Sequence, residues 1–129
     1  MKDYYQYKKL GGYTLKEPLY RKTLHTIRCY SYYASVINDI DNKSETDKTE
    51  NDIENRIVAQ QHINAIEEAL NEYVREEYQN AVFEHVAYDA EYDYLRRKYY
   101  ISEGTLKRYA QMFIYGVAVK LGDTLPREK

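Results

Sequence analysis

The sequence predicts an all-α fold, with an N-terminal helical pair and a C-terminal unit of three helices. Its 129 residues suit a single domain. Five glycines and two prolines are few for the many tight turns of an all-β chain. Apolar residues recur at steps of three and four, which is the helical period. The chain has one cysteine, which excludes a disulfide framework, and no apolar run is long enough for a membrane span.

The first part of the chain, residues 1–37, is expected to be an arm followed by one helix. Gly11-Gly12 breaks the arm, and Pro18 suits the first turn of a helix, where its missing N–H costs nothing. The apolar face of this helix consists of Leu24, Ile27, Tyr30, Ala34 and Ile37. Residues 38–52 are almost entirely polar and acidic, so we expect a mobile linker that buries too little surface to become ordered.

A second, longer helix is expected over residues 53–74. Thr49–Asp52 provides capping side chains and negative charge just before it. Its apolar face is long and regular and consists of Ile53, Ile57, Ala59, Ile63, Ile66, Leu70 and Tyr73. This face packs on the first helix or on a partner chain, and self-packing is the better expectation for a chain of this size.

The C-terminal part, residues 75–122, has the pattern of a helix-turn-helix unit, and residues 123–129 form a tail. Helices are expected near 75–87 and 90–98. A third helix begins after Ser102, whose hydroxyl can accept a hydrogen bond from the first turn. Its buried face consists of Leu106, Ala110, Phe113, Val117 and Leu121, and Gly122 can close it as the C-terminal cap.

The first turns of the third helix have a polar side opposite the buried face. In a helix-turn-helix such residues enter the major groove of DNA and reach base edges or phosphates. The candidate DNA-binding residues on this side are Ser102, Glu103, Gly104, Thr105, Lys107, Arg108 and Gln111. Arg96, Arg97 and Lys98, at the end of the preceding helix, are expected near the phosphate backbone.

The charges of the chain are unevenly distributed. Residues 1–30 carry seven Lys or Arg against two Asp or Glu, and residues 95–120 carry six against one. Residues 39–94 carry four against sixteen. Two basic ends therefore flank an acidic middle, and local basic clusters attract phosphate groups.

The amino-acid sequence of the turn and third helix resembles a known pattern. Tyr100–Ser102, Thr105–Arg108, Phe113-Ile114 and Val117-Ala118 resemble the turn and recognition helix of region-4-like domains in sigma factors. They are more similar still to phage late-transcription regulators of the RinA/ArpU/LtrC type, which are small proteins that activate late genes. The likeness covers residues 80–122.

This resemblance implies a sequence-specific DNA-binding transcriptional regulator that activates phage late genes with host RNA polymerase in the bacterial cytoplasm. The N-terminal half would then contact the polymerase or a second copy of the chain. We expect no enzymatic activity, cofactor or metal site, because no phosphate-binding loop, nucleophile motif or metal-ligand spacing is present. Two alternatives stay open: a small terminase subunit that packages DNA as a ring, and a protein-interaction or inhibitor module without DNA binding.

Overall fold

The computed structural model describes residues 11–125, and this part of the chain is all helical, without a β-strand. The all-α prediction is confirmed. A short 3₁₀ helix at Gly11–Tyr13 comes first, and a second one at Glu76–Tyr78 precedes the fourth α-helix. The described residues form six α-helices, α1 (Glu17–Arg28), α2 (Tyr30–Asp41), α3 (Glu50–Tyr73), α4 (Gln79–Tyr88), α5 (Tyr92–Tyr99) and α6 (Glu103–Lys120).

Helix α6 is the centre of the core. Helices α1, α3 and α4 all pack against it, so nearly every residue from Tyr109 to Ala118 is buried. Phe113 and Val117 are completely buried, as the apolar periodicity predicts. The prediction of one buried face holds for the first two turns, whereas residues 109–118 are enclosed nearly all round.

The C-terminus of α6 is closed by Gly122, as the sequence predicts. This glycine has a φ of 79°, in the left-handed region that glycine tolerates best. Its N–H donates to the carbonyl of Val119 at 3.0 Å, and the N–H of Asp123 donates to the carbonyl of Ala118 at 2.9 Å. These two bonds form a Schellman motif, which satisfies carbonyls that the helix end leaves without partners.

Helices α3 and α6 approach each other closely at Gly116. The ring of Tyr73, in the last turn of α3, lies against the backbone of this glycine, and a Cβ at position 116 would overlap the ring. The ring of Tyr73 also meets that of Tyr115 edge-on, with 6.3 Å between the ring centroids. Burial in this contact raises the pKa of the Tyr73 hydroxyl. Glycine is thus the residue that lets the two helices come together here.

The single helix predicted to run to Ile37 is in fact two helices that meet at Cys29, whose ψ of 7° interrupts the helical backbone. The break lets α1 pack on α4 and α6 while α2 packs on α3. Within α1, the hydroxyls of Thr23 and Thr26 donate to carbonyls one turn back, at 2.8 and 3.1 Å, a pattern that bends helices. Because no glycine or proline marks the break, apolar periodicity cannot reveal it.

The structure differs from the predicted linker at residues 38–52. Helix α2 continues to Asp41 and α3 begins at Glu50, so that only residues 42–49 connect them. Arg56 of α3 donates to the two carboxylate oxygens of Asp41 at 2.6 and 3.1 Å, and this contact lowers the pKa of Asp41. The low apolar content of residues 38–52 gives no sign of this contact, because it forms between charged groups.

Residues 42–49 are also held by polar contacts. The ammonium of Lys43 lies 2.8 Å from the carboxylate of Asp52, which lowers the pKa of that carboxyl. Thr49 and Asp52 form a capping box, in which each side chain accepts the backbone N–H of the other, at 3.0 and 3.1 Å. Helices α2 and α3 with this connection, residues 30–73, form the α2–α3 hairpin.

Candidate nucleic-acid interface

A short helix, a tight turn and the start of a long helix form one corner of the molecule. Helix α5 ends at Tyr99, and α6 begins at Glu103. Between them Ile101 is 2% exposed and lies in the same core cluster as Leu106, which is 1% exposed. These two residues flank the start of α6 and anchor it to the core, as a hydrophobic staple does.

Ser102 caps α6, as its position in the sequence predicts. Its hydroxyl oxygen accepts the backbone N–H of Thr105 at 3.2 Å, and the same hydroxyl donates to the Thr105 side chain at 2.8 Å. Both side chains are thus engaged in forming the first turn. By fixing this turn, Ser102 and Thr105 position the residues that follow in α6.

The candidate DNA-binding residues around this turn are mostly exposed to solvent. We call the exposed residues beside the turn the turn surface; it comprises the predicted residues Arg96, Arg97, Ser102, Glu103, Gly104, Lys107 and Arg108 together with Tyr100, whereas the exposed Lys98 belongs to a contact with α4. At Gly104 an added Cβ would meet no atom within 4 Å, so the backbone of the first turn is open. The guanidinium of Arg108 lies over the ring of Tyr109 at 5.2 Å from its centroid.

The cations at the start of α6 are not neutralised by neighbouring carboxylates. Among residues 11–125, Lys107 and Arg108 have no carboxylate oxygen within ion-pair distance. Glu103, also exposed, is the acidic residue of the first turn of α6. The first two turns of α6 therefore present two unpaired positive charges and one negative charge.

Gln111 does not belong to the turn surface. It is 4% exposed, and its side-chain amide donates to the backbone carbonyl of Tyr13 at 2.9 Å. The prediction that Gln111 faces DNA is wrong, because neighbouring helices enclose α6 from Tyr109 onward. Its polar side chain instead fastens the N-terminal 3₁₀ helix to α6.

Lys98 is tied to α4 rather than directed towards the turn. Its ammonium lies 3.4 Å from the carboxylate of Glu84, and it donates to the hydroxyl of Tyr94 at 3.0 Å. These contacts raise the pKa of Lys98, with the Tyr94 bond as the largest cause. The hydroxyl of Tyr99 donates to the same Glu84 carboxylate. Lys98 therefore helps to hold α5 on α4.

Arg96 and Arg97 lie beside the turn. Together with Tyr92, Tyr100 and Ser102 they line a shallow cleft between α5 and the start of α6. The guanidinium of Arg96 lies 3.7 Å from the exposed carboxylate of Asp93, one turn earlier, a long distance for an ion pair. Arg97 donates to a backbone carbonyl at 3.2 Å and pairs with no carboxylate in the described part of the chain.

Tyr100 is the residue of this surface that sequence reasoning missed. Its side chain is 91% exposed, and its backbone has φ 56° and ψ 40°. A positive φ is expected at a glycine or asparagine, so a tyrosine gives no signal of it in the sequence. Its exposure is visible only once the turn is placed.

Comparison of the chain with protein-family models, curated proteins and solved structures found no match in any of the three. The likeness to phage late-transcription regulators therefore stays an expectation from the sequence. Within residues 11–125 no helix is long and apolar enough to cross a membrane. In the same part of the chain no group of three or more His, Cys, Asp or Glu side chains could hold a metal ion.

Proposed function

We propose that this protein is a sequence-specific DNA-binding regulator of transcription, in which α5, the turn and α6 act as a helix-turn-helix. The observation that carries the proposal is the position of Lys107 and Arg108. Both are exposed on the second turn of α6, while the adjacent Leu106 is buried and anchors that turn. In a helix-turn-helix, residues at this place reach into the major groove.

The turn surface offers two kinds of contact to a DNA duplex. Lys107 and Arg108 can donate to the O6 and N7 atoms of guanine, the commonest specific contact in the major groove. Arg96 and Arg97 are placed to pair with phosphates, which fix the orientation of a protein on DNA. At Gly104 the open backbone lets a strand come close to the positive end of the helix dipole.

The resemblance to phage late-transcription regulators adds the finer proposal of an activator that acts with host RNA polymerase. In that case the α2–α3 hairpin is the part that contacts the polymerase. Ile53 and Ile57, one turn apart on α3, are 53% and 52% exposed, and Glu50 and Glu54 are exposed beside them. An apolar stripe bordered by carboxylates suits a partner surface that is apolar and basic.

The same stripe supports a second candidate function, a protein-interaction module without DNA binding. Ile53 and Ile57 are exposed whether or not the turn surface meets DNA. The two candidates differ in what the protein does with nucleic acid alone, since an interaction module has no need of affinity for a duplex. One titration therefore separates them.

The test is a fluorescence-anisotropy titration of a labelled random-sequence duplex at low salt, followed by selection of a preferred site from a random pool. On the selected site, we expect Lys107→Ala and Arg108→Ala each to weaken binding by about 1–3 kcal/mol if the residue reads a base. Lys43→Ala, which removes the same charge from the α2–α3 hairpin, is the matched control and should bind like the wild type.

The salt dependence provides an independent check on the same duplex. Each phosphate neutralised by the protein should contribute about 0.9 to the slope of log affinity against log salt concentration. A wild-type protein without affinity at low salt would overturn the DNA-binding proposal and leave the interaction module. A flat salt profile would contradict the role of the basic residues.

A further inference from the structure

The turn between α5 and α6 contains a bulky residue in a backbone conformation that disfavours it. Tyr100 has φ 56° and ψ 40°, the left-handed region, where an L side chain crowds its own carbonyl. Tight turns between two such helices often contain glycine, which adopts this conformation without that cost. A strained residue persists when it contributes something else, so an observed outlier of this kind is a reason to look for function.

Asp89, at the C-terminus of α4, is the other non-glycine residue with a positive φ in the described part of the chain. It has a φ of 56°, as Tyr100 does, but aspartate is several-fold enriched in this conformation. Its carboxylate also lies 3.5 Å from Arg28. The two positions therefore have the same backbone geometry, and only the one at the turn carries an aromatic ring.

The ring of Tyr100 makes no contact that would repay the strain. Tyr32, Tyr88 and Tyr94 are also exposed, yet Tyr32 and Tyr88 pack edge-on against neighbouring rings, and the hydroxyl of Tyr94 accepts from Lys98. The backbone N–H of Tyr100 donates to the carbonyl of Arg96 at 2.9 Å, but its side chain, in a residue that is 91% exposed, has no hydrogen bond or ring contact with any residue between 11 and 125. The fold itself gains nothing visible from this side chain.

The surroundings of Tyr100 indicate a ligand for its hydroxyl. Tyr100 lines the same cleft as Arg96 and Arg97, three residues before the first residue of α6. Two guanidinium groups and a helix N-terminus are all features that attract phosphate, and tyrosine hydroxyls are common donors to DNA phosphates.

We propose that the hydroxyl of Tyr100 donates a hydrogen bond to a phosphate of the DNA strand that borders the groove entered by α6. This inference rests on the proposed function and adds a residue to it. The left-handed backbone conformation of Tyr100 directs its ring away from the protein surface, towards the DNA strand that borders the groove. Tyr100 thereby positions the start of α6 on the duplex without adding charge.

Two variants of Tyr100 and one control test this proposal. Tyr100→Gly relieves the backbone strain and removes the ring, so we expect its Tm to rise by roughly 2–8 °C while its DNA affinity falls by about 3- to 10-fold. Tyr100→Phe keeps ring and strain and removes only the hydroxyl, so its affinity should fall similarly with an unchanged Tm. Asp89→Gly, the matched control, should bind DNA like the wild type and should gain less Tm than Tyr100→Gly, because aspartate tolerates this backbone conformation and its carboxylate lies near Arg28.

The salt dependence separates this contact from the charged ones. Because Tyr100 carries no charge, Tyr100→Phe should keep the wild-type salt slope, whereas Arg97→Ala should lower it by about 0.9. Wild-type affinity in Tyr100→Phe would overturn the inference while leaving the DNA-binding proposal intact. A wild-type protein that binds no duplex would overturn both, and a Tyr100→Gly variant without a gain in Tm would remove the strain argument.

Discussion

The α2–α3 hairpin and the turn surface are both exposed and both rich in charge, but their cations are used differently. In the hairpin, Lys43 pairs with Asp52 at 2.8 Å, Lys48 with Glu45 at 3.0 Å, and Arg56 with Asp41 at 2.6 Å. On the turn surface, Arg97, Lys107 and Arg108 have no carboxylate partner among residues 11–125. All three cations of the hairpin are therefore paired within it, and its other carboxylates are in excess. The turn surface, in contrast, has cations without a carboxylate partner in that part of the chain.

This difference separates charges that hold the fold from charges that are left for a ligand. Exposed ion pairs each contribute little to stability, but three of them lie at or across the connection between α2 and α3, which has little apolar surface. The composition of the two regions is thus a poor guide to their roles, and the pairing of the charges is the better one.

The largest expected effect is on the free energy of unfolding, and it compares a buried side chain beneath the turn surface with a half-exposed one in the hairpin. Leu106→Ala removes a side chain that is 1% exposed beneath the turn surface, so we expect a loss of about 2–5 kcal/mol in the free energy of unfolding. Ile53→Ala in the hairpin removes a half-exposed side chain, and its effect should stay within about 0.5 kcal/mol. Urea unfolding of both variants measures the contrast, and equal losses would mean that the hairpin is as firmly packed as the turn.

A smaller effect is expected from the contact that joins the two helices of the hairpin. The hydroxyl of Tyr30 on α2 donates to Glu67 on α3 at 2.7 Å, and this bond together with burial raises the pKa of Tyr30 to about 12. Tyr30→Phe should therefore lower the free energy of unfolding by about 0.5–1.5 kcal/mol at neutral pH. The exposed Tyr32, changed to Phe, is the matched control and should have no effect.

The pH dependence of this difference has a defined sign. A tyrosine in the unfolded chain ionises near pH 10, so the raised pKa in the fold stabilises the protein fully below that pH. The advantage of the wild type over Tyr30→Phe should shrink as the pH rises from about 10 to about 12. A difference that stays constant over this range would show that the bond to Glu67 does not hold the proton on Tyr30.

The smallest expected effect concerns the open backbone of the turn surface. Gly104→Ala places a better helix former where a Cβ meets no atom within 4 Å, so we expect a gain of about 0.5–1 kcal/mol in stability. If a DNA strand comes close to this backbone, the added methyl group should weaken binding in the anisotropy titration. An increase in stability with unchanged affinity would place the strand farther from the first turn.

The sequence predicts α6 well because its signals are local. Ser102 and Gly122 bound the helix by capping chemistry, and its apolar spacing identifies the side that meets the core. The prediction for Gln111 is wrong because its polarity suggests exposure to solvent, whereas its burial depends on helices far away in the sequence. The contact between Arg56 and Asp41 likewise spans a loop, and local composition could not anticipate it.

The candidate site is predictable in part for the same reason. Lys107 and Arg108 are exposed as their helical position predicts, because they lie opposite Leu106 on the same turn. The pairing of Lys98 with Glu84 and the conformation of Tyr100 depend on the packing of α5 and the closure of the turn. Whether these residues meet DNA stays a prediction for the titrations to test.

The close approach of α3 and α6 has a consequence for the history of this sequence. Because the ring of Tyr73 fills the space that a Cβ at position 116 would need, Gly116 cannot gain a side chain while Tyr73 is kept. Descendants that acquire alanine at 116 should have exchanged Tyr73 for a smaller residue first. The pair would then be inherited as a unit, even where the rest of the two helices diverges.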